Sequence, residues 1–157
     1  MYLIDSDVFI QAKNRHYGFD FCPAFWDWLD REHANGLLAS VAAVGAELVA
    51  GGDQLSTWAR ARQALFLAPD ALVVAELQRA SHWAHANYMA PGPATFLAAA
   101  DSYLVAHAAA HNHIVVTHEL PADSPSKIKI PNACRALGVA YINVFDLLRA
   151  EGARFVL

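Results

Sequence analysis

Short apolar runs recur along the chain, separated by longer segments whose apolar residues have helical spacing. The runs contain β-branched and aromatic residues and end at polar or glycine-containing segments, a pattern typical of buried strands. They predict strands at 2–4, 37–41, 114–116, 139–142 and 155–157.

The segments between these runs carry signals for the start and end of helices. Pro23 suits a first helical turn, Asp53 is placed to cap a helix, and the Gly-Gly pair at 51–52 ends one. The Pro-Gly-Pro sequence at 91–93 is the clearest break in the chain. We expect helices at 23–33, around 44–48, and at 53–66, 77–88, 94–112, 131–138 and 145–150.

Strands that alternate with helices predict an α/β fold with a central parallel sheet of four to five strands. Helices on both faces give three α/β/α layers. No linker or internal repeat interrupts the pattern, so the prediction is a single domain over 1–157. Ligands of such sheets bind beyond the carboxyl ends of the strands, and polar residues at those positions are the candidates for function.

The composition narrows the function classes. Of 157 residues, 56% are hydrophobic and 17% are charged, which excludes a disordered chain. A net charge of -4 argues against a protein that coats nucleic acid by bulk attraction. Two cysteines are too few for a disulfide scaffold, and neither a signal peptide nor a membrane span is predicted, so we expect a cytoplasmic protein.

Five acids stand out by position. Two follow the first predicted strand, one follows the strand at 114–116, and two lie within apolar helical stretches, where a carboxylate is expensive to bury unless it is paired or binds a cation. The five are Asp5, Asp7, Glu119, Glu47 and Asp101. Converging carboxylates attract hard cations such as Mg²⁺ or Mn²⁺, and two such ions can activate water for attack on a phosphodiester.

Each acid also has a plain structural interpretation. Asp5 and Asp7 suit turn or helix-cap positions, Glu47 suits an exposed helix face, and Asp101 suits a helix cap. Their joint placement is more specific than any one of them. Without these five acids, ten acids balance eleven Lys and Arg, so the remaining surface is nearly neutral.

Four segments carry a family resemblance. Residues 1–10 (MYLIDSDVFI) consist of an apolar strand followed by Asp, a small hydroxyl residue and Asp, and 40–48 hold a strand end followed by a helical Glu. Residues 99–102 (AADS) hold a helical Asp, and 115–119 (VVTHE) end a strand with Thr, one residue and an acid. Together they resemble the PIN-domain nuclease superfamily, including VapC-like proteins, and within it a PIN-like family of uncharacterised bacterial proteins.

The resemblance covers residues 1 to about 145 and implies a metal-dependent ribonuclease fold. It implies Asp5, Glu47 and Asp101 as Mg²⁺ or Mn²⁺ ligands and as catalytic acids, with Glu119 or Asp7 completing the metal shell. It implies that Thr117 orients the site. Many bacterial relatives are toxins that a small antitoxin protein holds inactive. One departure is Glu119, because the fourth motif usually ends in Asp or Asn.

Basic and aromatic residues flank the proposed acidic site along the chain. We expect the basic ones to bind RNA phosphates, Lys13 above all because it is nearest to Asp5 in sequence, and Tyr17 and Phe19 to stack on a base. His118 lies between two motif residues and is expected to contact substrate. The predicted substrate-binding residues are Lys13, Arg15, Thr117, His118, Lys127 and Lys129.

Two other residue types allow alternative interpretations. The histidine pairs 82/85 and 107/111, with His113, have spacings that would suit a zinc site, although no Cys pair accompanies them. The four tryptophans fit helix faces and are expected to pack in the core. A surplus apolar face around Trp26 or Trp58 would instead serve a homodimer or antitoxin binding.

The sequence therefore predicts an endoribonuclease that is the toxin of a toxin–antitoxin pair, with RNA as its substrate. Two alternatives stay open. One is a haloacid-dehalogenase-type phosphatase, because the 5–8 segment (DSDV) also resembles that family's nucleophile motif, although its late Gly-Asp motif is missing. The other is a catalytically inactive PIN-like module that binds RNA or a partner.

Overall fold

The computed structural model describes residues 1–156, and these form five strands in one parallel sheet. The predicted strand at the amino terminus and the one at 114–116 are confirmed to the residue, and the short edge strand β3 was not predicted. The strands are β1 (Tyr2–Ile4), β2 (Leu38–Val41), β3 (Phe66–Leu67), β4 (Ile114–Val116) and β5 (Tyr141–Ile142).

Nine α-helices of the described residues cover both faces of this sheet, which confirms the predicted three-layer α/β/α architecture. A π-helical turn, Ala12–His16, extends the first helix. The helices are α1 (Ser6–Gln11), α2 (Pro23–Ala34), α3 (Ala42–Ala50), α4 (Gln54–Arg60), α5 (Ala71–Asn87), α6 (Gly92–Ala98), α7 (Ala100–His111), α8 (Ile130–Leu137) and α9 (Val144–Ala150).

The strand order is β3-β2-β1-β4-β5, and every neighbouring pair is parallel. Strands β2 and β3 follow β1 on one side of it, and β4 and β5 lie on the other side. In β1 and β4 the last residues, Ile4 and Val116, are register partners. The order reverses between these two strands, so the residues that follow them share the crevice where such folds bind ligands.

Three predicted helices were wrong in extent. The helix predicted at 53–66 ends at Arg60, before β3, and the helix predicted at 77–88 begins at Ala71 because Asp70 caps it through the Val73 amide. The helix predicted at 94–112 is two helices that meet at Ala99.

At the carboxyl terminus, residues 155–156 do not form the predicted strand, and Leu157 lies outside the described residues. Phe155 instead packs its ring edge-on against Tyr17, Phe25 and Trp28. Side-chain burial therefore replaces strand pairing at this end of the chain.

A continuous apolar core surrounds the sheet; Trp26, Trp28 and Trp58 belong to it as predicted, and Trp83 is half-buried against it. Trp26 and Trp58 are 3% and 7% exposed, with ring centroids 5.0 Å apart, so neither contributes an exposed apolar face. Within residues 1–156 no helix is both long and apolar enough to span a bilayer.

Candidate acidic site

Asp5 and Thr117 lie side by side at the carboxyl edge of the sheet, each directly after its strand. The Thr117 hydroxyl donates a hydrogen bond of 2.9 Å to Asp5 Oδ2, and the Glu119 amide donates one of 3.1 Å to Thr117 Oγ1. The parallel register of β1 and β4 produces this adjacency although the two residues are far apart in sequence. Thr117 thus fixes both Asp5 and the start of the loop after β4.

Asp5 is a buried carboxyl group, only 3% exposed. Burial raises its pKa to about 7, the carboxylates of Asp101, Glu119 and Asp7 add to the rise, and the Thr117 hydroxyl opposes it. Near neutral pH the group is therefore poised between its protonated and ionised forms.

Asp101 lies in the first turn of α7 and is half-buried. Burial raises its pKa to about 6, the Glu119 and Glu47 carboxylates add to this rise, and the Lys129 ammonium lowers it. Asp101 therefore experiences the charges of two acids from other segments, Glu47 in α3 and Glu119 in the loop after β4. The structure brings together the helical and strand-end acids that the sequence singled out.

Glu47 joins this group from α3 on an exposed side chain. Its Oε1 accepts a hydrogen bond of 3.1 Å from the backbone amide of Ala100, the first residue of α7. This bond satisfies one of the amides that a helix leaves unpaired at its start. The helix break at Ala99 leaves the Ala100 amide without a partner within the helix. Its hydrogen bond to Glu47 holds the start of α7, and with it Asp101, next to Glu47.

Glu119 is half-buried, and both of its carboxylate oxygens have partners. Oε1 lies 3.2 Å from Lys129 Nζ, and Oε2 accepts a hydrogen bond of 2.7 Å from the Ile130 amide at the start of α8. Glu119 therefore closes the loop between β4 and α8. Its carboxylate faces Asp5 and Asp101 but is held by the loop.

Asp7 lies at the margin of the cluster, in the first turn of α1. Its Oδ1 accepts a long hydrogen bond of 3.4 Å from Gln11 Nε2. Its charge contributes to the raised pKa of Asp5 and opposes the lowering of the pKa of His118. It therefore lies between the acids and the rings described next.

His118 belongs to a cluster of three rings beside the acids. Its ring centroid lies 5.7 Å from that of His16 and 5.8 Å from that of Phe145, and these two are 5.3 Å apart. The His118 Nε2 atom is buried without a hydrogen-bond partner, and burial lowers the pKa of this imidazole. Sequence analysis missed His16 and Phe145, although Phe145 follows β5 at the same edge of the sheet.

The predicted basic residues divide into two groups. Lys129 contacts Glu119, and the exposed Lys127 lies in the same loop, beside a cleft of about 390 Å³ that reaches Asp101 and Glu119. Lys13, by contrast, forms an ion pair of 2.7 Å with Asp53 at the start of α4. Its predicted role as the phosphate ligand nearest to Asp5 stays a prediction, and RNA phosphate would have to compete with Asp53 for its ammonium group.

Arg15 and the predicted stacking residues lie on the segment that follows α1. Arg15 is exposed. Tyr17 stacks on Phe25 at 4.3 Å and Phe19 stacks on Trp26 at 4.1 Å, both against core side chains. One face of each of these two rings is therefore already covered.

The acidic cluster suits a hard divalent cation in its chemistry. It presents carboxylate oxygens from separate elements, and burial together with the neighbouring carboxylates raises the pKa values of Asp5 and Asp101, a cost that a bound cation would relieve. Nevertheless, no three His, Cys, Asp or Glu side chains within 1–156 are arranged closely enough to hold a metal ion. The same finding applies to the histidines of the zinc alternative, where His111 Nε2 instead lies 2.9 Å from Asp70 Oδ2.

Comparison with known proteins assigns the family. A family model described as a domain of unknown function, DUF4411, matches residues 2–155. The chain belongs to the DUF4411 family. No curated protein sequence matches it significantly.

Solved structures confirm that the fold is PIN-like. A chain in the crystal structure of VapBC2 from Rickettsia felis, bound to a DNA fragment from their promoter, superimposes with a TM-score of 0.57 at 15% identity, covering 90% of this chain and 97% of that one. FitAcB from Neisseria gonorrhoeae gives 0.53 at 22% identity, covering 91% and 97%. VapBC-1 from nontypeable Haemophilus influenzae gives 0.53 at 14% identity, covering 90% and 96%.

Proposed function

We propose that this DUF4411 chain is a divalent-cation-dependent endoribonuclease and the toxin of a toxin–antitoxin pair. The observation that carries the proposal is a group of acids from separate elements at the edge of the sheet where ligands bind, among which burial, and then neighbouring carboxylates, raise the pKa values of Asp5 and Asp101 to about 7 and 6. Likeness in fold to chains of the VapBC and FitAcB structures supports the toxin assignment and an antitoxin partner.

In this proposal Asp5, Asp101, Glu47 and Asp7 would hold Mg²⁺ or Mn²⁺. The cation supplies an activated water and neutralises charge on the phosphate oxygens. The Thr117 hydroxyl orients Asp5 through its hydrogen bond and favours the ionised form of its carboxyl group.

The loop after β4 supplies the phosphate contacts. Lys127 and Lys129 neutralise the RNA backbone beside the acids, and Lys13 contributes less because Asp53 holds its ammonium. His118 and the rings beside it contact the substrate. Glu119 acts chiefly by holding Lys129 and the loop in place.

An RNA cleavage assay tests this function. The purified chain is incubated with total RNA in Mg²⁺, in Mn²⁺ and in EDTA, next to Asp5→Asn and Asp101→Asn. Asp123→Asn, at an exposed position outside the cluster, is the matched control. We expect cation-dependent cleavage by the wild type and the control only. The proposal would be excluded if Asp5→Asn and Asp101→Asn both cleaved RNA as well as the wild type, or if the wild type cleaved RNA in EDTA.

One observation favours a second candidate, an inactive module that binds RNA or a partner. The two oxygens of Glu119 are occupied by Lys129 and Ile130, and the acids are not gathered into a three-ligand group. This candidate predicts RNA binding that persists in EDTA and no cleavage with any divalent ion. The phosphatase alternative is less favoured, because Asp5 is buried under the Thr117 hydroxyl and poorly placed for nucleophilic attack.

A further inference from the structure

The segment 117–129 between β4 and α8 contains neither helix nor strand, yet it is held at several points. Glu119 binds Lys129 and the Ile130 amide at its carboxyl end. In its middle, the Asn132 side chain pairs with both backbone groups of Ala122, at 3.0 and 2.9 Å. Long irregular loops in compact domains are usually functional, and a loop fixed in this way presents its side chains in a defined arrangement.

The same segment packs directly against the end of α5 and the start of α6. The Met89 amide donates a hydrogen bond of 2.7 Å to the Pro125 carbonyl. A Cβ atom at Gly92 would lie 2.8 Å from the Ser126 carbonyl oxygen, so only glycine permits this approach. The loop therefore forms one fixed wall and α6 the other.

A cleft of about 390 Å³ separates these two walls. Its apolar part is built from Phe96 and Ile128, both nearly buried, and its polar rim includes Thr95 and Lys127. The volume falls within the range of small-molecule sites, roughly 300–1,000 Å³. The cleft also reaches Asp101 and Glu119, so an occupant would lie next to the acidic cluster.

We infer that this cleft binds one nucleotide of the RNA, adjacent to the phosphate that is cleaved; the inference rests on the proposed ribonuclease function. A base is flat and apolar on its faces, which suits contact with Phe96 and Ile128, while its polar edge meets the Thr95 hydroxyl at the rim. The two lysines of the loop supply positive charge for the nucleotide's phosphate. An apolar side chain of a protein partner would contact the apolar part of the cleft but would gain nothing from these ammonium groups.

Calorimetric titration with the four nucleoside 5′-monophosphates tests the inference in the full chain with Mg²⁺ present, because these probes contain no phosphodiester bond. Thr95→Trp fills the cleft from an exposed position, and Ala94→Trp, equally exposed on the same helix but outside the cleft, is its control. We expect Thr95→Trp to weaken binding by about tenfold or more and Ala94→Trp by less than about twofold.

A second arm separates the base from the phosphate. Lys127→Gln is expected to weaken binding of the monophosphates while leaving the weaker binding of the corresponding nucleosides unchanged. The inference is overturned if no monophosphate binds, if inorganic phosphate binds as tightly as the nucleotides, or if Thr95→Trp and Ala94→Trp behave alike. If RNA is still cleaved in those cases, the cleft inference fails and the ribonuclease proposal stands. If nucleotides bind as expected but no RNA is cleaved, the ribonuclease proposal fails and the cleft is a nucleotide site with no part in cleavage.

Discussion

Thr117 Oγ1 lies 2.9 Å from Asp5 Oδ2 and donates a hydrogen bond to it, which joins the residues that follow β4 and β1. This bond lowers the pKa of Asp5, while burial and the neighbouring carboxylates raise it. The hydroxyl is therefore the group that keeps a buried, repelled carboxylate available in its ionised form.

Replacing Thr117 by Val removes this donor while keeping the shape of the side chain. We expect the pKa of Asp5 to rise further, so that cation binding and RNA cleavage weaken at pH 7 and recover at higher pH. Loss of the buried hydrogen bond lowers the free energy of unfolding by roughly 1–3 kcal/mol. Calorimetry with Mn²⁺ at several pH values and urea unfolding measure the two effects.

Thr117→Ser is the matched control, because it retains the hydroxyl, and we expect it to keep the wild-type pH dependence. A Val variant with an unchanged pH profile would show that the hydroxyl does not control the ionisation of Asp5.

The stability of the chain in EDTA should depend on pH in a definite direction. Asp5 and Asp101 have pKa values of about 7 and 6 when folded, above the ordinary aspartate value of 3.8. Between these values the folded chain binds more protons than the unfolded chain, so its stability falls as the pH rises from about 4 to 7. We expect a loss of roughly 2–4 kcal/mol across this window.

Urea unfolding at a series of pH values measures this loss. Asp5→Asn should reduce the slope, whereas Asp123→Asn should leave it unchanged, and Mg²⁺ should restore stability at pH 7 in the wild type. An equal slope in Asp5→Asn would mean that other groups dominate the titration.

The strand-end half of the candidate site could be predicted from sequence, because an apolar run followed by Asp5 or Thr117 identifies the carboxyl edge of a sheet without knowledge of tertiary contacts. The helical half was harder to predict. Nothing in the alanine-rich segment 94–112 signals a break, and the break at Ala99 provides the amide that Glu47 caps from a distant element. Edge strand β3 was missed because two residues carry no periodic pattern.

Charge pairing was the other feature that the sequence concealed. Lys13 is close to Asp5 along the chain, yet α4 brings Asp53 to its ammonium, and only the folded chain shows this preference. The two partners of Glu119, Lys129 and Ile130, are near it in sequence. A sequence motif nevertheless does not distinguish a carboxylate that holds a loop from one that binds a metal.

The role of Glu119 can be separated from that of a metal ligand. Glu119→Ala removes the carboxylate that contacts Lys129 and the Ile130 amide. We therefore expect hydrogen exchange of the 120–130 amides to accelerate by roughly tenfold or more. Glu119→Gln keeps an oxygen for the Ile130 amide and should preserve most of the protection. Asp123→Ala, in the same loop but exposed, is the control for a local loss of charge.

Mn²⁺ affinity completes this test. If Glu119 acts by holding the loop, Glu119→Gln binds Mn²⁺ nearly as well as the wild type, whereas Asp101→Asn binds it much less well. A loss in Glu119→Gln as large as that in Asp101→Asn would make Glu119 a ligand.

Lys127 and Lys13 should differ in their effect on RNA cleavage. Lys127 is exposed beside the cleft, and we expect Lys127→Gln to lower kcat/KM by roughly fivefold, equivalent to about 1 kcal/mol. Lys13 is held by Asp53, so Lys13→Gln should lower kcat/KM by less than about twofold and reduce stability by at most about 1 kcal/mol, because the pair is partly exposed.

Asp53→Asn separates the two roles of Lys13, because the amide oxygen can still cap α4 through the Ser56 amide while the ion pair is lost. If the pair holds the ammonium away from substrate, this variant leaves cleavage unchanged or raises it by freeing Lys13 for phosphate. Initial rates across RNA concentrations measure kcat/KM for all three variants. A larger loss of cleavage in Lys13→Gln than in Lys127→Gln would instead assign the phosphate contact to Lys13. The ion pair between Lys13 and Asp53 would then have to open when RNA binds.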